Sequence, residues 1–329
     1  FIDSHCHFLN LGLSLQQVDL VGSKSFEEVL ERVTRFEQNK DLTALIGRGW
    51  DQNDWEVKKL PTKEQLDELF PNIPVALRRI DGHALLVNQK ALDLAGINEE
   101  TFVEGGEIVK SNGKLTGVLI DAPMKLVTNI LPKPSTEEKV KAFVDAEEIL
   151  FANGLTTISV AGLDKDDIFI IDSLQKKGVL NMRVYAMISN TPENIDYYLK
   201  AGPYKTDKLN VRSFKVYADG ALGSRGAALK ESYSDLKNHF GAFITPKDSL
   251  ESLAYKLAAS PFQMNTHAIG DAANKVVLQA YQKALVFSDD PRWRVEHAQI
   301  IDTADIALFN RKILPSVQPT HATSDMYWA

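Results

Sequence analysis

Residues 135–160 read STEEKVKAFVDAEEILFANGLTTISV and hold one complete helix-to-strand unit. Ser135 is a typical N-cap residue, an amphipathic run extends from Glu137 to Asn153, and Gly154 is a typical stop signal. The run Leu155 to Val160 that follows is apolar and β-branched, which predicts a buried strand. A helix that leads directly into such a strand is the unit from which parallel α/β sheets are built.

The same alternation continues towards the end of the chain. The further predicted helices are Asp166 to Lys177, Pro192 to Lys200, Lys247 to Ala259, Asp271 to Phe287 and Thr303 to Phe309. The further predicted strands are Met182 to Ile188, Val211 to Ala218, Gln263 to His267, Arg292 to His297 and Ile313 to Val317. With an opening strand at Phe1 to His5 there are seven strand candidates, so we predict an α/β fold of the TIM-type (β/α)8 barrel class whose eighth strand would lie beyond Ala329.

Residues 15–134 do not follow this rhythm. They contain a predicted helix from Phe26 to Asn39, an aromatic and glycine-rich stretch at Gly47 to Trp50, and hairpin-like signals around Gly105-Gly106 and Asn112-Gly113. We expect an inserted subdomain over the barrel mouth. The predicted division is the first strand and its loop at 1–14, the subdomain at 15–134, and the remaining barrel units with strands 2 to 7 at 135–329.

Composition and charge limit the class of partner. The 329 residues are 44% hydrophobic and 25% charged, and 37 Lys and Arg against 44 Asp and Glu give a net charge of -7. This balance gives no electrostatic reason to expect a nucleic acid or an anionic membrane as partner. We therefore expect a small-molecule substrate, and a homodimer is compatible with the same composition. The single cysteine, Cys6, excludes an intrachain disulfide framework, which suits a reducing compartment, and we expect a cytoplasmic location.

Four of the seven histidines fall at the ends of predicted strands. His5 and His7 are two residues apart on one strand, so their imidazoles face the same side, whereas Cys6 faces the other. His267 and His297 each close another strand, at the end where barrel enzymes carry their functional residues. Neutral imidazoles that converge in this way are typical of a metal site, although each histidine singly has a structural role as its simpler interpretation.

Lys215 lies inside the apolar strand Phe214 to Ala218. A buried lysine must be neutralised, paired or chemically modified. One interpretation is a lysine at the rim of the barrel that extends to solvent. The other is a carboxylated lysine, in which the amine has taken up carbon dioxide and the carbamate oxygens can bridge two cations.

These residues belong to longer strings. The stretch Phe1 to His7 resembles the strand-one signature of the amidohydrolase superfamily, and later segments are similar to its YtcJ-like branch, which includes N-substituted formamide deformylases. Those segments are Asp81-Gly82-His83 with Asn88, Lys215 to Arg225, His267 to Asp271, Arg294 to Gln299, and Ser316 to His321. The match covers nearly the whole chain, with several unusual strings in the same order and spacing.

The resemblance implies a metal-dependent hydrolase. It implies one or two divalent metal ions, with zinc as the expected metal, held by His5, His7, His267 and His297 and bridged by Lys215 as its carbamate. Lys215 and His297 would then be the catalytic residues of the chain. A metal-bound hydroxide would attack the carbon of an amide-type C–N bond in a small molecule, and the metal would hold the oxyanion.

Two features of the resembled family have no counterpart in these residues. One is an aspartate after strand eight that serves as ligand and proton shuttle, and the other is a small flanking β-sandwich. We therefore expect the sequence to be a piece of a longer protein, and we expect the fragment itself to have little activity.

Six further residues are candidates for substrate binding. They are Asp81, His83, Asp219, Arg225, His321 and Trp50. For the loop and insertion residues, the simpler interpretations are turn-stabilising contacts or ion pairs within a loop, and for Trp50 packing inside the insertion. An alternative function keeps the barrel and its pocket without turnover, as a catalytically inactive small-molecule sensor or regulatory protein.

Overall fold

The computed structural model describes residues 1–38 and 42–325. The strands are β1 (Ile2–Cys6), β2 (Val18–Asp19), β3 (Leu45–Trp50), β4 (Val75–Arg79), β5 (Ala84–Val87), β6 (Gly106–Ser111), β7 (Lys114–Asp121), β8 (Thr157–Leu163), β9 (Arg183–Ser189), β10 (Tyr204–Lys205), β11 (Leu209–Tyr217), β12 (Gln263–Ala268), β13 (Trp293–His297) and β14 (Ile313–Ser316). The helices are α1 (Phe8–Ser14), α2 (Phe26–Glu37), α3 (Glu64–Leu69), α4 (Gln89–Leu94), α5 (Met124–Thr128), α6 (Thr136–Ala152), α7 (Lys165–Lys176), α8 (Pro192–Ala201), α9 (Lys247–Ala258), α10 (Asp271–Ala284) and α11 (His321–Ser324). None of the helices in these described ranges is long and apolar enough to span a bilayer.

The larger sheet, which we call sheet I, is built from parallel strands. Its order is β1-β8-β9-β11-β12-β13-β14, and the short β10 pairs antiparallel with β11. Every pair along that path is parallel. All carboxyl ends of these strands therefore meet at one edge, which is where barrel folds place their functional residues.

The helices that alternate with these strands cover the outer face of sheet I. Outward side chains such as Phe214, Val216 and Met264 are buried in one apolar core together with Leu250 of α9 and Val277 of α10. Burial of such side chains contributes roughly 1.5–3 kcal/mol each and is the main force that holds helices on the sheet.

The predicted helix-to-strand units are present, with shifts of a few residues. Ser135 caps α6 through a capping box, in which its hydroxyl accepts from the Glu138 amide and the Glu138 carboxylate accepts from the Ser135 amide. Two predictions need correction. The strand after α6 starts later and runs further than 155–160, and Thr303–Leu308 is a 3-10 helix rather than an α-helix.

Residues between β1 and α6 form a second sheet, which we call sheet II. Its order is β2-β3-β4-β5-β7-β6, with parallel pairs at β2-β3 and β3-β4 and antiparallel pairs elsewhere. Asn112 and Gly113, both with positive φ, form the turn between β6 and β7, as the sequence predicts. Gly105-Gly106 instead leads into β6. The predicted helix from Phe26 ends at Glu37, and its last predicted residue, Asn39, lies outside the described residues.

Cys6 lies on the outward side of β1. Its side chain is buried beside Phe8 and Phe143 in the core between sheet I and its helices, and burial raises the pKa of its thiol to about 12. The alternation His5, Cys6, His7 thus places the thiol against the helices and the two imidazoles on the inner face.

Candidate metal centre

The histidines predicted from strand ends lie in one continuous cluster. The ring centres of His5 and His7 are 5.3 Å apart, those of His5 and His297 are 4.6 Å apart, and those of His267 and His297 are also 4.6 Å apart. His83 of sheet II adds a fifth ring, 5.0 Å from that of His267. Rings carried by or next to β1, β5, β12 and β13 therefore lie side by side in one cluster.

His5 is oriented by a buried carboxylate. Its Nδ1–H donates to Oε2 of Glu296 at 2.6 Å, and its Nε2 is buried without a hydrogen-bond partner among the described residues. A carboxylate that fixes one ring nitrogen and leaves the other free is the usual support for a metal-binding histidine. Burial lowers the pKa of His5 against the opposing effect of Glu296, so the ring is neutral at pH 7.

His297 and His267 are held by other partners. Nδ1 of His297 lies 2.8 Å from the Gln318 side-chain oxygen, and Nε2 of His267 lies 3.0 Å from the Gly220 carbonyl. If these nitrogens are the donors, the second nitrogen of each ring is left to accept. Burial lowers the pKa of both rings well below the ordinary value, and burial also lowers the pKa of His7 to about 3. All of these imidazoles are neutral and able to act as ligands.

His297 has a backbone conformation unusual for its residue type. Its φ is 71° and that of Ala298 is 43°, both in the left-handed region. Such conformations cost about 1–3 kcal/mol and are concentrated at functional sites. This turn ends β13 at the cluster.

Lys215 lies on the inner face of β11 next to the histidines. Its side chain is 1% exposed, and its Nζ has no hydrogen-bond partner within the described ranges. Nζ lies 4.7 Å from the centre of the Tyr217 ring. Burial lowers the pKa of the Lys215 ammonium to about 8, which makes the neutral amine accessible near neutral pH. This burial excludes the interpretation in which Lys215 extends to solvent at the rim of the barrel.

The chemistry of these donor atoms suits a metal ion, whereas their present positions do not. Among residues 1–38 and 42–325, no group of three or more His, Cys, Asp or Glu side chains is arranged to hold an ion as it stands. The fit rests on two buried polar atoms without partners, His5 Nε2 and Lys215 Nζ, and on the neutral rings beside them. Nitrogen donors of this kind suit zinc and other first-row divalent metals.

His83 and Asp81 connect sheet II to the cluster. Nδ1–H of His83 donates to Asp121 Oδ1 at 2.6 Å, and Asp81 accepts from the His83 amide and from Arg79. Burial opposes a charge on His83, but its bond to Asp121 and the nearby carboxylates outweigh this and raise the pKa of His83. Asp81 thus has the turn-stabilising contacts, whereas His83 reaches the cluster.

Asp219 and Arg225 organise the loop after β11. Both carboxylate oxygens of Asp219 are used, because the backbone N–H groups of Ala228, Ile269 and Gly270 donate to them at 2.8 to 3.0 Å. Burial raises the pKa of Asp219 to about 7. Arg225 donates to Gly223 within its loop, and its guanidinium also pairs with Asp235.

His321 lies near the histidine cluster, whereas Trp50 lies away from it. The His321 ring centre is 6.0 Å from that of His297, and its Nδ1 is 3.0 Å from Asp325, so it lies beside the cluster. Trp50 is fully buried in the core of sheet II, where its indole N–H donates to the Leu77 carbonyl at 2.7 Å. A ligand contact by Trp50 would require it to leave that core.

Sequence reasoning missed three residues that hold the imidazoles: Glu296, Asp121 and Gln318. Glu296 had a visible signal, since a glutamate in the apolar strand before His297 must have a buried partner. Gln318 lies in the family-like string Ser316 to His321, whereas Asp121 had no local signal, because it is 38 residues from the His83 ring that it contacts.

Known proteins resemble this chain over nearly its full length. The model of the amidohydrolase family matches residues 1–329. "Protein LONG AFTER FAR-RED 3" of Arabidopsis thaliana is 32% identical over 98% of this chain and 58% of its own length. "Putative amidohydrolase YtcJ" of Bacillus subtilis is 32% identical over 100% of this chain and 63% of its own length.

A solved structure has the same fold. The crystal structure of an uncharacterized metal-dependent hydrolase from Pyrococcus horikoshii superposes with a TM-score of 0.73 at 27% identity, covering 99% of this chain and 64% of that one. The chain thus spans less than two thirds of the length of these proteins. The clustered strand-end histidines, the parallel sheet and the full-length match of the family model agree, and the chain belongs to the amidohydrolase family.

Proposed function

We propose that this chain forms the metal-binding part of a hydrolase that cleaves an amide-type C–N bond in a small molecule. The observation that carries the proposal is the buried cluster of neutral imidazoles with Lys215 at the carboxyl edge of sheet I. Family membership supports hydrolysis, and the resemblance to N-substituted formamide deformylases favours the C–N bond.

The residues that would hold a divalent metal are His5, His7, His267 and His297, and Lys215 would be a further ligand in its carbamate form. One or two zinc ions fit this donor set best. A divalent metal bound there would lower the pKa of a bound water to about 7 and polarise the scissile carbonyl.

Three carboxylates around the proposed ligands orient the histidine side chains. Glu296 keeps Nε2 of His5 free for a ligand by holding its Nδ1 proton. Asp121 holds His83 in the same manner beside His267, so His83 can present its other nitrogen to a substrate. Asp219 holds the loop that carries Gly220, and this carbonyl orients His267. The substrate therefore meets side chains whose positions are set in advance, which lowers the barrier to reaction.

The test is metal analysis of the full-length protein together with hydrolysis of N-substituted formamides. We expect bound zinc in the wild type and loss of both metal and turnover in His5→Ala and Lys215→Ala. His239→Ala is the matched control, because His239 lies outside the cluster, where its Nε2–H donates to the Arg225 carbonyl and its ring lies beside that of Tyr233. Equal hydrolysis by all four proteins would show that the site is assigned incorrectly.

The same measurements separate the enzyme from a sensor. A full-length protein that binds a formamide and metal without any turnover would contradict the proposed hydrolysis and favour the regulatory alternative. Cleavage of an ester and of no amide would retain the hydrolase and reject the C–N bond.

A further inference from the structure

Two arginines lie side by side in sheet II, close to the turn that leads to His83. Arg48 of β3 and Arg78 of β4 are register neighbours on parallel strands, so their side chains extend from the same face. Nη2 of Arg48 donates to the Ile80 carbonyl at 3.2 Å, and Nη1 of Arg78 donates to the Gly82 carbonyl at 3.0 Å. A guanidinium carries five N–H donors, so both side chains have further donors for a ligand.

Among residues 1–38 and 42–325, no carboxylate forms an ion pair with either guanidinium. Asp81 acts on both charges, but its carboxylate is paired with Arg79. Asp19 is the register neighbour of Arg48 on β2, but its carboxylate accepts from the Val21 amide. Like charges that face each other across a sheet are destabilising, and partial burial of both guanidiniums weakens their screening by solvent. An anion bound between them would remove this cost.

The arginine pair lies beside the candidate metal centre. Arg78 is bonded to the turn that directly precedes His83, and the His83 ring centre is 5.0 Å from that of His267. Burial is the main cause of the low pKa of His7, and the charge of Arg48 lowers that pKa further. An anion bound by the arginines would therefore lie at the edge of the site, as one end of a molecule whose other end reaches the imidazoles.

We propose that Arg48 and Arg78 form a subsite for an oxyanion group of the substrate, a carboxylate or a phosphoryl group. The inference rests on the proposed hydrolysis and narrows its substrate class, because the C–N bond would belong to an anionic small molecule. Planar guanidiniums bind paired oxygens of such groups through charge-assisted hydrogen bonds. The net charge of the chain is -7, so any attraction for an anionic substrate must be local to these arginines.

A matched set of formamides tests the subsite in the full-length, zinc-loaded protein. N-formylglycine carries a carboxylate, N-formylglycinamide is a neutral analogue of nearly the same size, and N-formylaminomethylphosphonate carries a phosphoryl group. We expect kcat/KM for at least one anion to exceed that for the neutral compound by about 10-fold or more, and the preferred anion identifies the oxyanion. Equal kcat/KM values for all three, or a preference for the neutral compound, would overturn the subsite.

Substitution of either arginine separates recognition of the anion from support of the fold. Arg48→Gln and Arg78→Gln each remove one charge and keep a polar side chain, and we expect each to lower the preference for the anion by about 10-fold. Arg78→Lys should retain part of the preference, since it keeps the charge without the planar donors. Arg32→Gln is the control, because Arg32 pairs with Glu28 on α2 and should keep the wild-type preference. Equal losses towards the anionic and neutral compounds would show that the arginines only support the fold.

A binding measurement without turnover separates failure of the subsite from failure of the proposed hydrolysis. In the metal-free, full-length protein at fixed ionic strength, we expect N-formylglycine or the phosphonate to raise the melting temperature by at least about 1 °C more than N-formylglycinamide does. The difference should disappear in Arg78→Gln. This shift without hydrolysis of any formamide would reject the hydrolysis and keep the subsite. Hydrolysis of the neutral compound without an anion-specific shift would keep the hydrolase and reject the subsite.

Discussion

Glu296 determines which ring nitrogen of His5 is available to bind a metal. It fixes the proton on Nδ1 of His5 and leaves Nε2 free, so its charge supports the candidate metal centre without lying in it. We expect Glu296→Gln in the full-length protein to weaken zinc binding about 10- to 100-fold, measured by competition with a chromogenic chelator. Glu147→Gln is the control, because Glu147 is also buried but accepts from the backbone of Asn181 and Met182. Equal zinc affinity in wild type and Glu296→Gln would contradict this role.

His7 makes stability depend on pH. In the folded chain burial lowers its pKa to about 3, whereas in the unfolded chain it binds a proton below roughly pH 6.5. The unfolded state therefore takes up a proton first as the pH falls, and the metal-free protein loses up to ~1.4 kcal/mol per pH unit between about pH 6.5 and 3 from this group. We expect His7→Asn to remove this contribution. Chemical unfolding of both proteins at pH 7 and pH 5 checks it, and parallel losses would show that His7 does not titrate in this way.

The contact between α1 and α6 requires a residue without a side chain. A Cβ at Gly12 would lie 1.9 Å from the Ala142 carbonyl oxygen, and neither backbone can move without separating the helices. We expect Gly12→Ala to destabilise the protein by about 1–3 kcal/mol, as overpacking does, although alanine favours helices. Asn10→Ala on the exposed side of α1 is the control and should change the free energy of unfolding by less than about 0.5 kcal/mol. A stable Gly12→Ala protein would mean that the helices are not in close contact.

The elements differ in how far the sequence predicts them. Ser135 and Glu138 mark the start of α6 because the capping box is a local interaction. Asn112-Gly113 marks the turn between β6 and β7 for the same reason. The 3-10 helix at Thr303–Leu308 was not predicted, since its apolar spacing alone does not distinguish it from an α-helix. The convergence of the strand-end histidines followed from parallel strands, but the contact of His83 with His267 depends on how sheet II meets sheet I, which no local pattern contains.

At the scale of the molecule, the two sheets meet through glycines and buried charges. The Arg79 guanidinium, 1% exposed and paired with Asp51 and Asp81, lies against Gly223 of the loop after β11, where a Cβ would be 2.6 Å from Nη1. We expect Gly223→Ala to lower the free energy of unfolding by about 1–3 kcal/mol. A double-mutant cycle with Arg79→Met should give a coupling energy of at least about 0.5 kcal/mol. Additive effects would show that this contact does not join the sheets.

The position of Cys6 gives the molecule an internal reporter. Its thiol is the single one in the chain, lies between β1 and the helices, and is held protonated by burial, so it is inert while that layer stays closed. Reaction with a thiol-specific dye therefore requires β1 to part from α1 and α6. The labelling rate under native conditions measures how often the strand that carries His5 and leads to His7 opens, and added zinc should slow labelling if those imidazoles bind it.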